Sequence, residues 1–193
     1  MGKVHDAIDD ALTAWMLAQP MFFVATAPLS ATGHVNVSPK GGRGSFQVLG
    51  PRRVAYLDIA GSGAETIAHV RENGRVVVMF CAFDGKPRIV RLHGRATVHP
   101  RGGAAFAELA ARFPAPGLNL VAARSILDVA VGRIAESCGY SVPLMSFEGT
   151  RPHQDRWVDK RLKQHGPDGI RDYVRARNAE SLDGLPALDE PSW

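Results

Sequence analysis

Apolar residues first recur at helical spacing. Val4, Ile8, Leu12 and Trp15, joined by Ala7 and Ala11, share one face, which predicts a helix over 4–18 closed by Gln19-Pro20. The period then shortens. Met21 to Ala27 is an apolar, aromatic and β-branched run that reads as a buried strand. Ala31-Thr32-Gly33 turns the chain into a strictly alternating segment, 34–40, with Val35, Val37 and Pro39 on one side and His34, Asn36, Ser38 and Lys40 on the other. By periodicity alone the polar set is the solvent face of an antiparallel strand. Gly41, Gly42 and Gly44 mark a loop, and strands follow near 45–49 and 53–59. Ser62-Gly63-Ala64-Glu65 matches a capping box opening a short helix (Ile67, Ala68, Val70) that stops at Asn73-Gly74.

Arg75 to Phe83 is a continuous apolar run, predicting a strand buried on both faces, and Asp84-Gly85-Lys86-Pro87 turns it into a long strand over 88–99. A helix near 102–112 and a strand near 124–136 complete the body. From Gln154 the period is helical again (Trp157, Val158, Leu162, then Ile170, Tyr173, Val174), and the tail at Leu182 to Pro186 reads as loose. These segments predict a mainly β (α+β) chain: an antiparallel meander of six or seven strands, closed as a barrel with short flanking helices. The expected division is a barrel domain over 1–150 and a helical extension over 151–193. A dinucleotide-binding βαβ fold is disfavoured, because GxGxxG is absent and hairpin signals replace crossover helices.

Composition narrows the setting. The chain has 193 residues, 45% of them apolar, which supplies a sizeable core. No apolar run reaches the length of a membrane span, and the first residues lack the order of a signal peptide. Cys81 and Cys138 lie far apart without CxxC spacing, so two reduced thiols and a cytoplasmic location are expected, with Cys81 inert in its apolar strand. A net charge of +4 is modest, and most aromatics fall in apolar strands, which argues against nucleic-acid binding.

Several residues carry candidate chemistry. Asn36, Ser38 and Lys40 form one polar ladder. Arg91, His93 and Arg95 form another, whose charges repel unless an anion sits among them. Arg43, in the glycine-rich loop, also suits an oxyanion. The seven histidines show neither HxxxH nor HExxH spacing, so no metal site is expected; a single axial haem ligand leaves no signature, and His69 or His93 is the candidate. There is no GxSxG elbow, Asp58 has no identifiable partner, and no catalytic residue is assigned.

The stretches NVSPKGG (36–42), VAYLD (54–58), AGSGAETIAHVRENGRVVVMF (60–80) and RLHGRATV (91–98) together resemble the pyridoxamine-phosphate-oxidase-like, FMN-binding split-barrel proteins, over roughly 18–140. That resemblance implies an antiparallel split β-barrel with a C-terminal helical extension. It also implies a homodimer sharing FMN at its interface, and a small-molecule substrate with no membrane partner. It places cofactor contacts at Asn36, Ser38 and Lys40, with Tyr56 and Ser62 beside the phosphate and His69 on the following helix. Lys40 would stabilise the negative charge that builds on a flavin ring as it takes up hydride. One departure stands out: Glu65 and Thr66 occupy the place where the oxidases proper carry an Arg-Lys pair. The function that follows is a flavin-dependent oxidoreductase. The alternatives are a haem-binding barrel, or a deazaflavin-dependent one whose longer acidic cofactor tail would need Arg43, Arg52 and Arg53.

Overall fold

A computed structural model describes residues 2–114 and 120–188. Eight strands form one antiparallel sheet: β1 (Lys3–His5), β2 (Met21–Thr26), β3 (Asn36–Gly41), β4 (Phe46–Gly50), β5 (Arg53–Ile59), β6 (Arg75–Cys81), β7 (Ile89–Pro100) and β8 (Ala123–Ser137). Their order is β3-β2-β6-β7-β8-β5-β4, with β1 paired to β8. The sheet curls until β3, at one end of the order, reaches β5 near the other; Lys40 and Asp58 meet across the split. This is the expected split barrel.

Alternation fills the interior. Phe22 and Val24, Val54 and Tyr56, Val76, Val78 and Phe80, and Leu127 and Val129 point inward, and α1 (Asp10–Ala18) plugs one end with Leu12 and Met16. A second cluster joins α2 (Glu65–Asn73) to the α4 (His153–His165) and α5 (Gly169–Arg177) hairpin, through Ile67 and Ala68 against Val158, Ile170 and Val174. A third seats α3 (Ala104–Ala110) on the outer face of β5 and β8.

Four local expectations change. The first helix starts at Asp10, where Asp9 caps it by accepting the Leu12 amide at 2.7 Å, and residues 3–5 pair with β8 instead. The capping box does not form: α2 begins after Ala64 with no side-chain cap, and Ser62 stays exposed. β6 is buried on one face only; Val77 and Met79 are half-exposed on the outside of the sheet. The tail is held, not loose. Asp183 accepts the His34 backbone amide at 2.8 Å and bonds its ring at 2.7 Å, and Ala187 and Leu188 are buried against the second cluster.

β7 and β8 shift register between His93 and Gly94, and the backbones approach there. A Cβ on Gly94 would lie 2.3 Å from the Ala130 carbonyl oxygen. Gly94→Ala is therefore expected to destabilise the protein by about 1–3 kcal/mol, read as a lower urea midpoint at unchanged slope.

Candidate functional site

The inward face of β5 carries Val54 and Tyr56 in the core and then, two residues on, a carboxylate. Asp58 is fully buried. An isolated buried carboxylate is costly, so partners are required. Lys40 Nζ donates to its Oδ1 at 2.7 Å and Arg124 Nε to its Oδ2 at 2.7 Å. The Arg124 side chain is itself only 4% exposed, and its Nη1 donates to the Gly63 carbonyl at 2.8 Å. Burial alone would raise the Asp58 pKa, but the charges and hydrogen bonds of Arg124 and Lys40 outweigh it and hold the group at about 2. Two cations thus share one carboxylate, leaving one surplus positive charge where β3 meets β5.

β3 reverses the simplest reading of its alternation. Asn36, Ser38 and Lys40 turn inward and are half-buried, while Val35 and Val37 are 71% and 59% exposed. Asn36 Nδ2 donates to Thr66 Oγ1 at 2.9 Å and lies 3.2 Å from Ser38 Oγ, which ties the ladder to the first turn of α2. Lys40 then opens, with Gly41, Leu57 and Ser62, onto a cavity of about 630 Å³ whose opposite wall is His153, Gln154, Trp157 and Tyr173 of the α4–α5 hairpin.

The loop between β5 and α2 is pinned from behind. Its carbonyls at Gly61 and Gly63 accept from Asn178 Nδ2 (2.9 Å) and Arg124. The exposed Ser62 hydroxyl, on the cavity wall, has no partner among the described residues, and the first turn of α2 behind it lacks a side-chain cap. A surplus cation, a free hydroxyl and uncapped amides fit a phosphate ester. Glu65 is the opposing element: its carboxylate folds over Gly63, 2.3 Å from where a Cβ there would lie. Glu65→Gln should tighten an anionic ligand about fivefold, since one like charge at about 4 Å in water is worth about 1 kcal/mol. Titrations at low salt will read it.

Other candidates lie elsewhere. Tyr56 is in the barrel core against Phe22, with ring centroids 5.5 Å apart, and burial pushes its pKa well up. It faces the barrel interior and is not among the residues lining the cavity. His69 is fully buried on α2, sharing a 3.0 Å hydrogen bond with Thr26 through Nδ1; its Nε2 is enclosed, and burial lowers its pKa. No haem iron reaches that nitrogen without repacking. The Arg91, His93, Arg95 ladder lies on the outer sheet face, and its two arginines are engaged by the protein itself. Arg91 donates to Ser137 Oγ at 3.0 Å, Arg95 to the Asn73 carbonyl at 2.8 Å, and burial, then Arg133 and Arg91, lower the His93 pKa. Arg43 stacks over Phe147 at 5.4 Å, Arg53 pairs with Asp128 at 2.7 Å, and Arg52 donates to the Gly132 carbonyl. None of these three lines the cavity.

Sequence reading missed Arg124, Asn178 and the aromatic wall, and left Asp58 without a partner. Part of the signal was present: Asp58 is the one charge in the apolar strand VAYLDIA, while Arg124 shares its strand, AARSILDVAV, with a second charge, Asp128. Among the described residues no group of three or more His, Cys, Asp or Glu side chains could hold a metal ion, and no helix is long and apolar enough to cross a membrane.

Comparison with known proteins adds a family match. The sequence model described as pyridoxamine 5'-phosphate oxidase matches residues 8–138. The pyridoxamine 5'-phosphate oxidase family protein ustO of Aspergillus flavus is 38% identical over 197 residues, covering 95% of this chain and 77% of that protein. Among solved structures, a conserved protein of unknown function from Corynebacterium diphtheriae aligns with TM-score 0.48 at 14% identity, over 72% of this chain and 98% of that one. An FAD-binding protein from Mesorhizobium loti gives 0.46 at 14% (70% and 96%), and an FMN-binding protein from Syntrophomonas wolfei 0.44 at 15% (60% and 75%).

Proposed function

We propose that this chain, which belongs to the pyridoxamine 5'-phosphate oxidase family, is a flavin-dependent oxidoreductase whose flavin mononucleotide moiety is bound at the split between β3 and β5. The observation that carries the reading is the buried carboxylate shared by two cations, Lys40 and Arg124, at the edge of a cavity. Lys40 and the Ser62 hydroxyl bind the phosphate, with the first-turn amides of α2 beside them. Asn36 and Ser38 present amide and hydroxyl groups to the polar edge of the ring. Asp58 holds Lys40 in place and moderates its charge. A bound flavin supplies reversible hydride transfer at its ring nitrogen. The protein orients it and excludes water.

A second copy of the chain belongs in this reading. Val35, just before β3, and Val37 on it, with half-exposed Val77 and Met79 on β6, give this outer face an apolar character that a lone barrel leaves in water. The mass in solution should be that of a dimer by light scattering. A single-chain mass would remove the shared interface from the proposal.

The test is the visible spectrum of the purified protein. Flavin bands, released into the supernatant on denaturation, are expected. A Soret band would favour haem instead, and a protein that stays colourless after incubation with flavin would overturn the proposal.

A further inference from the structure

The cavity does not lie where the polar ladder is. Asn36, Ser38 and Thr66 are not among its lining residues; it starts at Lys40 and Ser62 and runs away from them to the α4–α5 hairpin. A mononucleotide flavin with its phosphate at Lys40 ends at that point and leaves the far wall untouched. That wall has a distinct chemistry. Trp157 and Tyr173 meet edge to face, with ring centroids 4.9 Å apart, and the Arg161 guanidinium lies 5.0 Å from the Tyr173 ring. His153 and Gln154, exposed in the first turn of α4, add hydrogen-bonding groups at the rim. No Asp or Glu is among the lining residues; the opposing carboxylate, Glu65, lies outside them over Gly63.

The wall is also rigidly placed. Val158, Ile170 and Val174 pack into the second core cluster, and Asn178 at the end of α5 donates to Gly61, in the same loop as Ser62. We infer that the cavity is a nucleotide subsite: the α4–α5 hairpin receives the adenosine half of a dinucleotide flavin, with the base against Trp157 and Tyr173 and the pyrophosphate beside Lys40 and Ser62. This rests on the flavin reading above. It makes FAD, not FMN, the preferred ligand, because only FAD carries a second ring to the aromatic wall. Stacking a base on an aromatic side chain is worth a factor of about ten or more in affinity.

The experiment is a pair of equilibrium titrations of the full-length, flavin-stripped protein with FMN and FAD, followed by flavin fluorescence. FAD should bind about tenfold or more tighter than FMN, and adenosine, which brings no phosphate to Lys40, should compete with FAD but not with FMN. Trp157→Leu should bring FAD down to the FMN level and leave FMN unchanged, whereas Trp157→Phe keeps most of the preference. Trp157 also packs against the second core cluster, so a second variant guards against misfolding: His153→Ala with Gln154→Ala, both exposed, should weaken FAD severalfold and not FMN. Equal affinity for the two flavins, or a Trp157→Leu variant that weakens both alike, would overturn the inference and leave the flavin proposal standing. Binding of neither flavin would end both.

Discussion

Arg124→Met is expected to destabilise the protein by roughly 3–5 kcal/mol, the usual consequence of removing one partner from a buried ion pair. Asp58 is fully buried and Arg124 nearly so, and Lys40 alone is left to compensate the carboxylate. The loss should have a pH signature. The folded Asp58 pKa of about 2 lies below its ordinary 3.8. Its contribution is therefore fully present above pH 4 and is lost as pH falls through the folded pKa near 2. Without Arg124, burial dominates and the pKa rises, so the acid limb of the stability curve moves to higher pH. Urea denaturation across the acidic range reads both effects. A variant with wild-type midpoint and acid limb would mean that water reaches Asp58 and the triad is not buried.

Lys40→Ala is the second large effect, and it separates binding from folding. Arg124 still pairs with Asp58 in that variant, so the stability loss should be smaller than for Arg124→Met. Flavin affinity, however, should fall about ten- to a hundredfold, because a hydrogen bond to a charged group contributes about 1.5–3 kcal/mol. The residual weak binding should lose much of its salt dependence, since the removed group carries the charge nearest the cavity. Unchanged affinity would place the phosphate elsewhere.

The barrel was legible because its strands declare themselves locally. Turn signals at Gly33, Gly50-Pro51 and Gly85 separate apolar or alternating runs whose positions match β2 through β7. What alternation does not say is which face is inside. In β3 the valines face out and the polar residues in, because Asn36 finds Thr66 and Lys40 finds Asp58 across the split. Those contacts are tertiary and leave no periodic trace. The same applies to Ser62, whose capping-box spacing is overridden when α2 starts two residues later. Val4 fits a helical stripe by spacing, yet Asp9 fixes the helix start beyond it. The tail shows the opposite limit: Leu182 to Pro186 has the composition of a loose end, and one side chain, Asp183, anchors it to His34.

The candidate site was half legible. Lys40, Asn36, Ser38, Ser62 and Thr66 came from the resemblance, and the structure brings them to one region with Asp58 and Arg124. Tyr56 shares the inward face of β5 with Asp58 but lies two residues deeper in the core, and His69 is buried on α2. The cavity's far wall comes from residues more than 110 positions beyond β3, and no local pattern links the two.

The claim beneath all of this is that the shared carboxylate at the barrel split marks an anion-binding pocket for flavin. Equilibrium titration of the purified, ligand-stripped protein with FMN, run in parallel on Lys40→Ala, tests it most directly. Saturable binding in the micromolar range by the natural protein, greatly weakened in the variant, is the predicted result. No saturation at millimolar FMN, or equal binding by both proteins, would contradict it.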